Sequence, residues 1–99
     1  MNCACCKRLC MDITKHHLIP RTRHNNKRIK KCFTPAQLNT TVDLCRSCHR
    51  QVHALFTEKE LERSYFTLEL LVAHPAMLNF INWIKTKSAD MRPRVKRSY

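Results

Sequence analysis

Four cysteines and four histidines stand at spacings that suit metal chemistry. Cys3-x-x-Cys6 and Cys45-x-x-Cys48 are two pairs of soft ligands, and two such pairs can offer four thiolates to one tetrahedral zinc ion. Between the pairs, His16 and His17 precede Leu18-Ile19-Pro20; directly after the second pair come His49 and His53. Residues four apart share a face of a helix, so His49 and His53 form a chelating pair if the segment 46–55 is helical. Adjacent residues on an extended strand face opposite ways. One of His16 and His17 can therefore ligate a metal while the other reaches a substrate. Phosphodiester hydrolysis needs these two parts, a base that activates water and a cation that stabilises the departing oxygen. A neutral imidazole with a pKa near ~6.5 suits the first role, and three neutral imidazoles leave a metal's double charge free to attract phosphate.

Other ligand sets are open from sequence. Cys5 and Cys10 compete with Cys3 and Cys6, His49 or His53 could replace a cysteine, and Cys32 has no nearby partner and reads as a free thiol. His24 and His74 read as ordinary residues. A redox role for the Cys-x-x-Cys pairs would need a thioredoxin-like βαβ pattern, which is not visible. Seven cysteines, an odd number, fit metal binding plus spare thiols better than a closed set of disulfides. The opening "MNCACCKRLC" lacks the apolar stretch of an export signal, and no apolar run approaches the ~20 residues that span a bilayer. The expected location is cytoplasmic, where thiols stay reduced.

Several elements must position these groups. Thr34-Pro35-x-Gln37 predicts a short capped helix, and "NTTVDL" after it predicts a strand rich in β-branched residues. Helix resumes at Arg46 with Val52 and Leu55 on its apolar edge. "TEKE" (57–60) is a second capping box, Thr67 caps "LELLVAH", and Pro75 opens a last helix. In that helix Met77, Leu78, Phe80, Ile81 and Ile84 recur at helical spacing, which predicts a core-facing stripe. The expected organisation is one domain over 1–87, with a motif core at 3–55 and a helical extension at 56–87. The basic, proline-broken tail 88–99 is expected to be disordered.

With 19 Lys+Arg against 7 Asp+Glu, the net charge of +12 predicts a polyanionic partner. No acidic residue lies between Asp12 and Asp43, and that stretch holds Arg21, Arg23, Lys27, Arg28, Lys30 and Lys31, the expected phosphate contacts. Such contacts give affinity without sequence information.

The order Cys-x-x-Cys, "HHLIP", "LN" and "LCRSCHRQVH" resembles the HNH endonucleases of the small zinc-knuckle type found in bacteria and phage. The match covers residues 3–53, and "NFINWI" after it is similar to small members of that group. The resemblance implies a small α+β fold with a ββα-metal core, in which a β-hairpin and a helix clamp one divalent cation, stapled by a structural zinc on Cys3, Cys6, Cys45 and Cys48. It implies that His17 is the general base and that Asn39 helps to hold it, although many relatives carry this Asn one residue nearer the second knuckle, where this chain has Thr40. His16, His49 and His53 are implied as ligands of the catalytic cation. An all-imidazole set favours Mn²⁺, Ni²⁺, Co²⁺ or Zn²⁺ over Mg²⁺. The implied reaction is hydrolysis of DNA, with RNA the lesser candidate, leaving 5′-phosphate and 3′-hydroxyl ends. A homodimer or larger complex would supply target specificity. The rival expectation is a non-catalytic zinc module that binds nucleic acid or protein, which explains the zinc and the charge but not four histidines in order.

Overall fold

The computed structural model describes residues 2–87, so the expectation for the tail 88–99 lies outside the described residues. Two strands, β1 (Ile13–His17) and β2 (Thr41–Cys45), pair antiparallel with Ile13 opposite Cys45, His16 opposite Val42 and His17 opposite Thr41. The period of two along β1 sends Thr14 and His16 to one face and Lys15 and His17 to the other. Helix α3 (Arg46–Leu55) follows β2 without a loop and packs against both strands, covering the His16 face. His16 is consequently buried while His17 stays half-exposed.

The strands are joined by a long connection rather than a tight turn. It contains a 3-10 turn at Arg21–Arg23, α1 (Lys27–Cys32) and α2 (Pro35–Leu38). Asn26 caps α1 by accepting from the backbone N–H groups of Arg28 (2.9 Å) and Ile29 (3.4 Å). Thr34 and Gln37 form the expected reciprocal capping box of α2. A small cluster of Ile19, Ile29 and Leu38, with Phe33 and Phe66 packed on it, ties this connection to the rest of the chain.

After α3 come α4 (Glu58–Arg63), α5 (Leu68–Ala73) and α6 (Pro75–Ile84). The capping box at Thr57 and Glu60 and the Thr67 cap form as their sequences dictate. α6 packs against α3 and α5 and closes the main core of Val52, Phe56, Leu61, Leu71, Met77, Ile81 and Ile84. The apolar stripe of α6 is narrower than its sequence suggests. Met77, Ile81 and Ile84 are buried, Phe80 is half-buried, and Leu78 is 45% exposed because it sits on the flank away from α3 and α5. Cys3, Cys6, Cys45 and Cys48 belong to the same core. A chain of this size buries little apolar surface, so the cysteine cluster forms part of its interior. No described helix is long and apolar enough to cross a membrane.

Candidate functional site

The four-cysteine cluster is built by two turns that meet at one end of the hairpin. In the first, Cys3 N–H donates to the Arg8 carbonyl and Lys7 N–H to the Cys3 carbonyl, both at 3.0 Å, and Asn2 bridges to Leu9. Closing this turn puts Lys7 at φ 65°, a left-handed position in a chain that has no glycine. Ala4 N–H donates to the Asp43 carbonyl at 2.7 Å and docks the turn on β2. The second turn is the start of α3, where Cys45 is the N-cap and its sulfur accepts from Cys48 N–H at 3.4 Å. Cys6 N–H donates likewise to the Cys3 sulfur at 3.5 Å.

The four sulfurs lie within 4.8 Å of one another. Sulfurs bound at about 2.3 Å around a tetrahedral metal must be about 3.8 Å apart, and the Cys6–Cys45 separation is 3.8 Å. All seven cysteines are free thiols, so nothing covalent competes for these sulfurs. The cluster is compatible with a structural metal site, as the two cysteine pairs predict. Hydrogen bonds from the Cys45 and Cys48 thiols pull Cys3 strongly toward the thiolate, while Cys45 is pushed up to about 12 by donating to it. Arg8 supplies the compensating charge. Its Nε donates to the Cys6 sulfur at 3.2 Å and a terminal nitrogen to the Cys45 sulfur at 3.5 Å, one contact to each pair. Burial opposes the Arg8 charge, but these N–H···S contacts outweigh it and hold the guanidinium protonated. Cys5 and Cys10 are buried beside the cluster without joining the four-sulfur set, and Cys32 is exposed.

A second set of ligands lies beyond the first turn of α3. His49 and His53, one helical turn apart, have ring centroids 4.9 Å from each other. His16, projecting from β1, places its ring 5.1 Å from His49 and 5.4 Å from His53. One ring nitrogen from each lies within 4.8 Å of the others. His16 is 1% exposed, and its Nε2 is buried without a hydrogen-bond partner among the described residues. An imidazole nitrogen left unpaired among two other imidazoles fits a cation, which would accept all three lone pairs. Burial, reinforced by the neighbouring histidines, lowers the His16 pKa to about 3; burial, with His53 adding to it, depresses that of His49, and burial depresses that of His53 against the pull of Glu58. All three are therefore neutral near pH ~7, the state in which imidazole ligates.

His17 turns to the opposite face of β1, as its neighbour's burial requires. Its ring lies 6.0 Å from that of His24, and burial, then Arg21 and His24, lower its pKa. His24, which sequence gave no role, is anchored by donating Nε2–H to the Ile19 carbonyl at 2.8 Å. His74 serves as N-cap of α6, its Nδ1 accepting from Ala76 N–H at 3.2 Å while the ring packs on Phe56 and Tyr65. Asn39 is exposed at the C-terminus of α2 and makes no side-chain hydrogen bond among the described residues. Its neighbour Thr40 bonds through its hydroxyl to the Ala36 carbonyl, and its own carbonyl accepts from Leu18 N–H. The contact that ties this loop to the His17 strand thus runs through the Thr40 backbone.

The basic segment divides. Lys27, Arg28, Lys30 and Lys31 project from α1 into solvent, and Arg21 is exposed beside His17. Arg23, a member of the expected phosphate-binding set, is also paired within the protein. Its guanidinium forms a two-pronged pair with Glu62, at 3.0 Å and 2.9 Å, and Glu62 is buried on α4. Its Nε and one terminal nitrogen are thereby turned to that carboxylate. Thr22 makes a parallel contact, donating to Glu58 at 2.6 Å. The sequence offers no signal for either long-range pairing.

No family model matches the chain, and no solved structure matches it significantly. A curated relative does: the uncharacterized protein YisB of Bacillus subtilis strain 168 is 30% identical over 96 residues, which are 97% of this chain and 85% of that protein. Similarity at this level over nearly the whole length places the chain in the same family as YisB.

Proposed function

We propose that this protein is a metal-dependent endonuclease of the HNH type that hydrolyses DNA. The observation that carries the reading is the convergence of His16, His49 and His53 around the unpaired His16 Nε2, with His17 presented on the other face of the same strand. The β1–β2 pair with α3 laid across it supports the ββα-metal reading of the fold. Zinc is the ion proposed for the four-cysteine cluster, because thiolates at this spacing match its size and softness.

In this mechanism His16, His49 and His53 would hold a divalent cation, which would supply positive charge near the phosphate. The chain itself supplies the base and the grip. His17, its pKa lowered by burial, Arg21 and His24, is neutral at physiological pH and takes a proton from water. Arg21, exposed beside it, and the cationic face of α1 hold the DNA backbone. Asn39, at the C-terminus of α2, is the residue proposed to help hold His17. The all-imidazole ligand set predicts that Mn²⁺, Ni²⁺, Co²⁺ or Zn²⁺ serves better than Mg²⁺.

The test is nicking of supercoiled plasmid in each metal by wild type and by His17→Ala. Nicking by wild type, lost in a variant that stays folded and binds DNA, supports the reading. Equal nicking by both removes His17 as the base. A chain that binds only the cysteine-site metal, with no second ion sensitive to His49→Ala, is a non-catalytic module instead.

A further inference from the structure

The Thr14 hydroxyl touches two groups at once. Its oxygen lies 3.1 Å from the Leu44 carbonyl across the β1–β2 pair and 2.7 Å from His49 Nδ1. A hydroxyl has one proton, and a carbonyl oxygen can only accept. Both contacts are hydrogen bonds together only if the hydroxyl proton goes to Leu44 and His49 Nδ1–H donates to the Thr14 oxygen. A neutral imidazole carries a single N–H. Its other nitrogen, Nε2, must then hold the free lone pair.

We propose that Thr14 is a positioning residue that locks His49 in its Nδ1–H tautomer and presents the Nε2 lone pair to the cation shared with His16 and His53. The proposal rests on the nuclease reading for the identity of that cation but not for the tautomer itself. Its geometric basis is independent of His16. Thr14 and His16 are two residues apart on β1, so one strand face supplies both a ligand and the group that orients a second ligand. Leu44 completes the relay: it is fully buried on β2, and its strand leads through Cys45 into the helix that carries His49. Hydroxyl, carbonyl and imidazole are thus all fixed by backbone elements that meet at the hairpin. Partners of this kind raise the basicity of a ligating histidine and fix its ring orientation.

The test uses the full chain with its cysteine cluster loaded with zinc. ¹⁵N imidazole shifts at about pH 8, where the rings are neutral, read the His49 tautomer before any second metal is added. Calorimetric titration with Co²⁺ then reads affinity at the imidazole cluster. We expect wild type and Thr14→Ser to show the Nδ1–H form, and Thr14→Val to relax to a mixture. Thr14→Val should bind Co²⁺ about 10- to 100-fold more weakly, with Thr14→Ser within about threefold of wild type. Valine preserves the β-branched shape, and an unchanged backbone amide spectrum confirms the fold. A wild-type His49 in the Nε2–H form overturns the proposal, as does a Thr14→Val variant equal to wild type in both readouts. If wild type shows the Nδ1–H form yet takes up no Co²⁺, the tautomer lock is supported, while its role at a metal and the nuclease reading both fail.

Discussion

Lys7 offers a direct test of how the first cysteine turn is built. Its φ of 65° is left-handed, where a Cβ costs an L-residue roughly 1–2 kcal/mol. The Lys7→Gly variant removes that cost. Glycine also loosens the unfolded chain, which returns roughly 0.4–1 kcal/mol of the gain. The net expectation is a protein more stable by about 0.5–1 kcal/mol, and a Tm higher by about 2–8 °C for a chain near 100 residues. Because Cys3 and Cys6 sit in this turn, relief of strain should also raise metal affinity, by about two- to fivefold if the turn closes only on binding. The assay is thermal unfolding of the metal-loaded chain by circular dichroism, with chelator competition for the metal. Lys7→Ala is the control, since it deletes the same charge but keeps the Cβ. If Lys7→Gly were no more stable than Lys7→Ala, the strain argument would be refuted.

Acid should destabilise the protein through His16 when the imidazole cluster carries no metal. The folded state keeps His16 neutral down to about pH 3, whereas the unfolded chain takes up a proton near ~6.5. The unfolded state therefore binds more protons in that window, and stability falls as pH drops from 6.5 toward 3, by as much as 4–5 kcal/mol on the order of magnitude. Urea titrations across pH should show a shallower slope for His16→Leu than for wild type. Replacing Lys27, Arg28, Lys30 and Lys31 with Gln should weaken DNA binding evenly across sequences. The slope of log K against log salt should lose up to about 3–4 in a filter-binding series. Arg23→Met should lower the Tm by stranding the buried Glu62 carboxylate, and adding Glu62→Leu should restore most of the loss. The double variant should bind DNA as wild type does, whereas weakened binding would keep Arg23 in the phosphate-contacting set.

The parts legible in the sequence are those whose physics is local. Thr34 with Gln37 and Thr57 with Glu60 specify their helix starts within four residues, and both capping boxes form. The spacing of His49 and His53 and the adjacency of His16 and His17 fix faces through helix and strand periods, so the imidazole cluster follows once α3 meets β1. α1 has no comparable signal. Only Ile29 of "KRIKKC" is buried, so no apolar period announces the helix, and its Asn26 cap stands in a run of polar residues. Arg23–Glu62, Arg8 at Cys45 and Thr14 at His49 join residues far apart in sequence. Each depends on how elements pack, which no local pattern encodes. Leu78 shows the opposite error, an apolar residue at core spacing whose helix buries a narrower edge.

One helix carries ligands of both clusters. Cys45 caps α3 and Cys48 lies in its first turn, while His49 and His53 follow on the same ten-residue segment. An isolated helix this short is marginal in water, so its order depends on what fastens its ends. A metal on the cysteines would fasten the start and so steady the two imidazoles at their pitch opposite His16. On the proposed two-metal reading, loading would be sequential: the ion at the thiolates would enter first, and the affinity of the imidazole site would be conditional on it. By reciprocity, an ion at the imidazoles would raise the affinity of the sulfurs for theirs by the same factor. Scarcity of the first metal would silence the second site even where the second metal is plentiful.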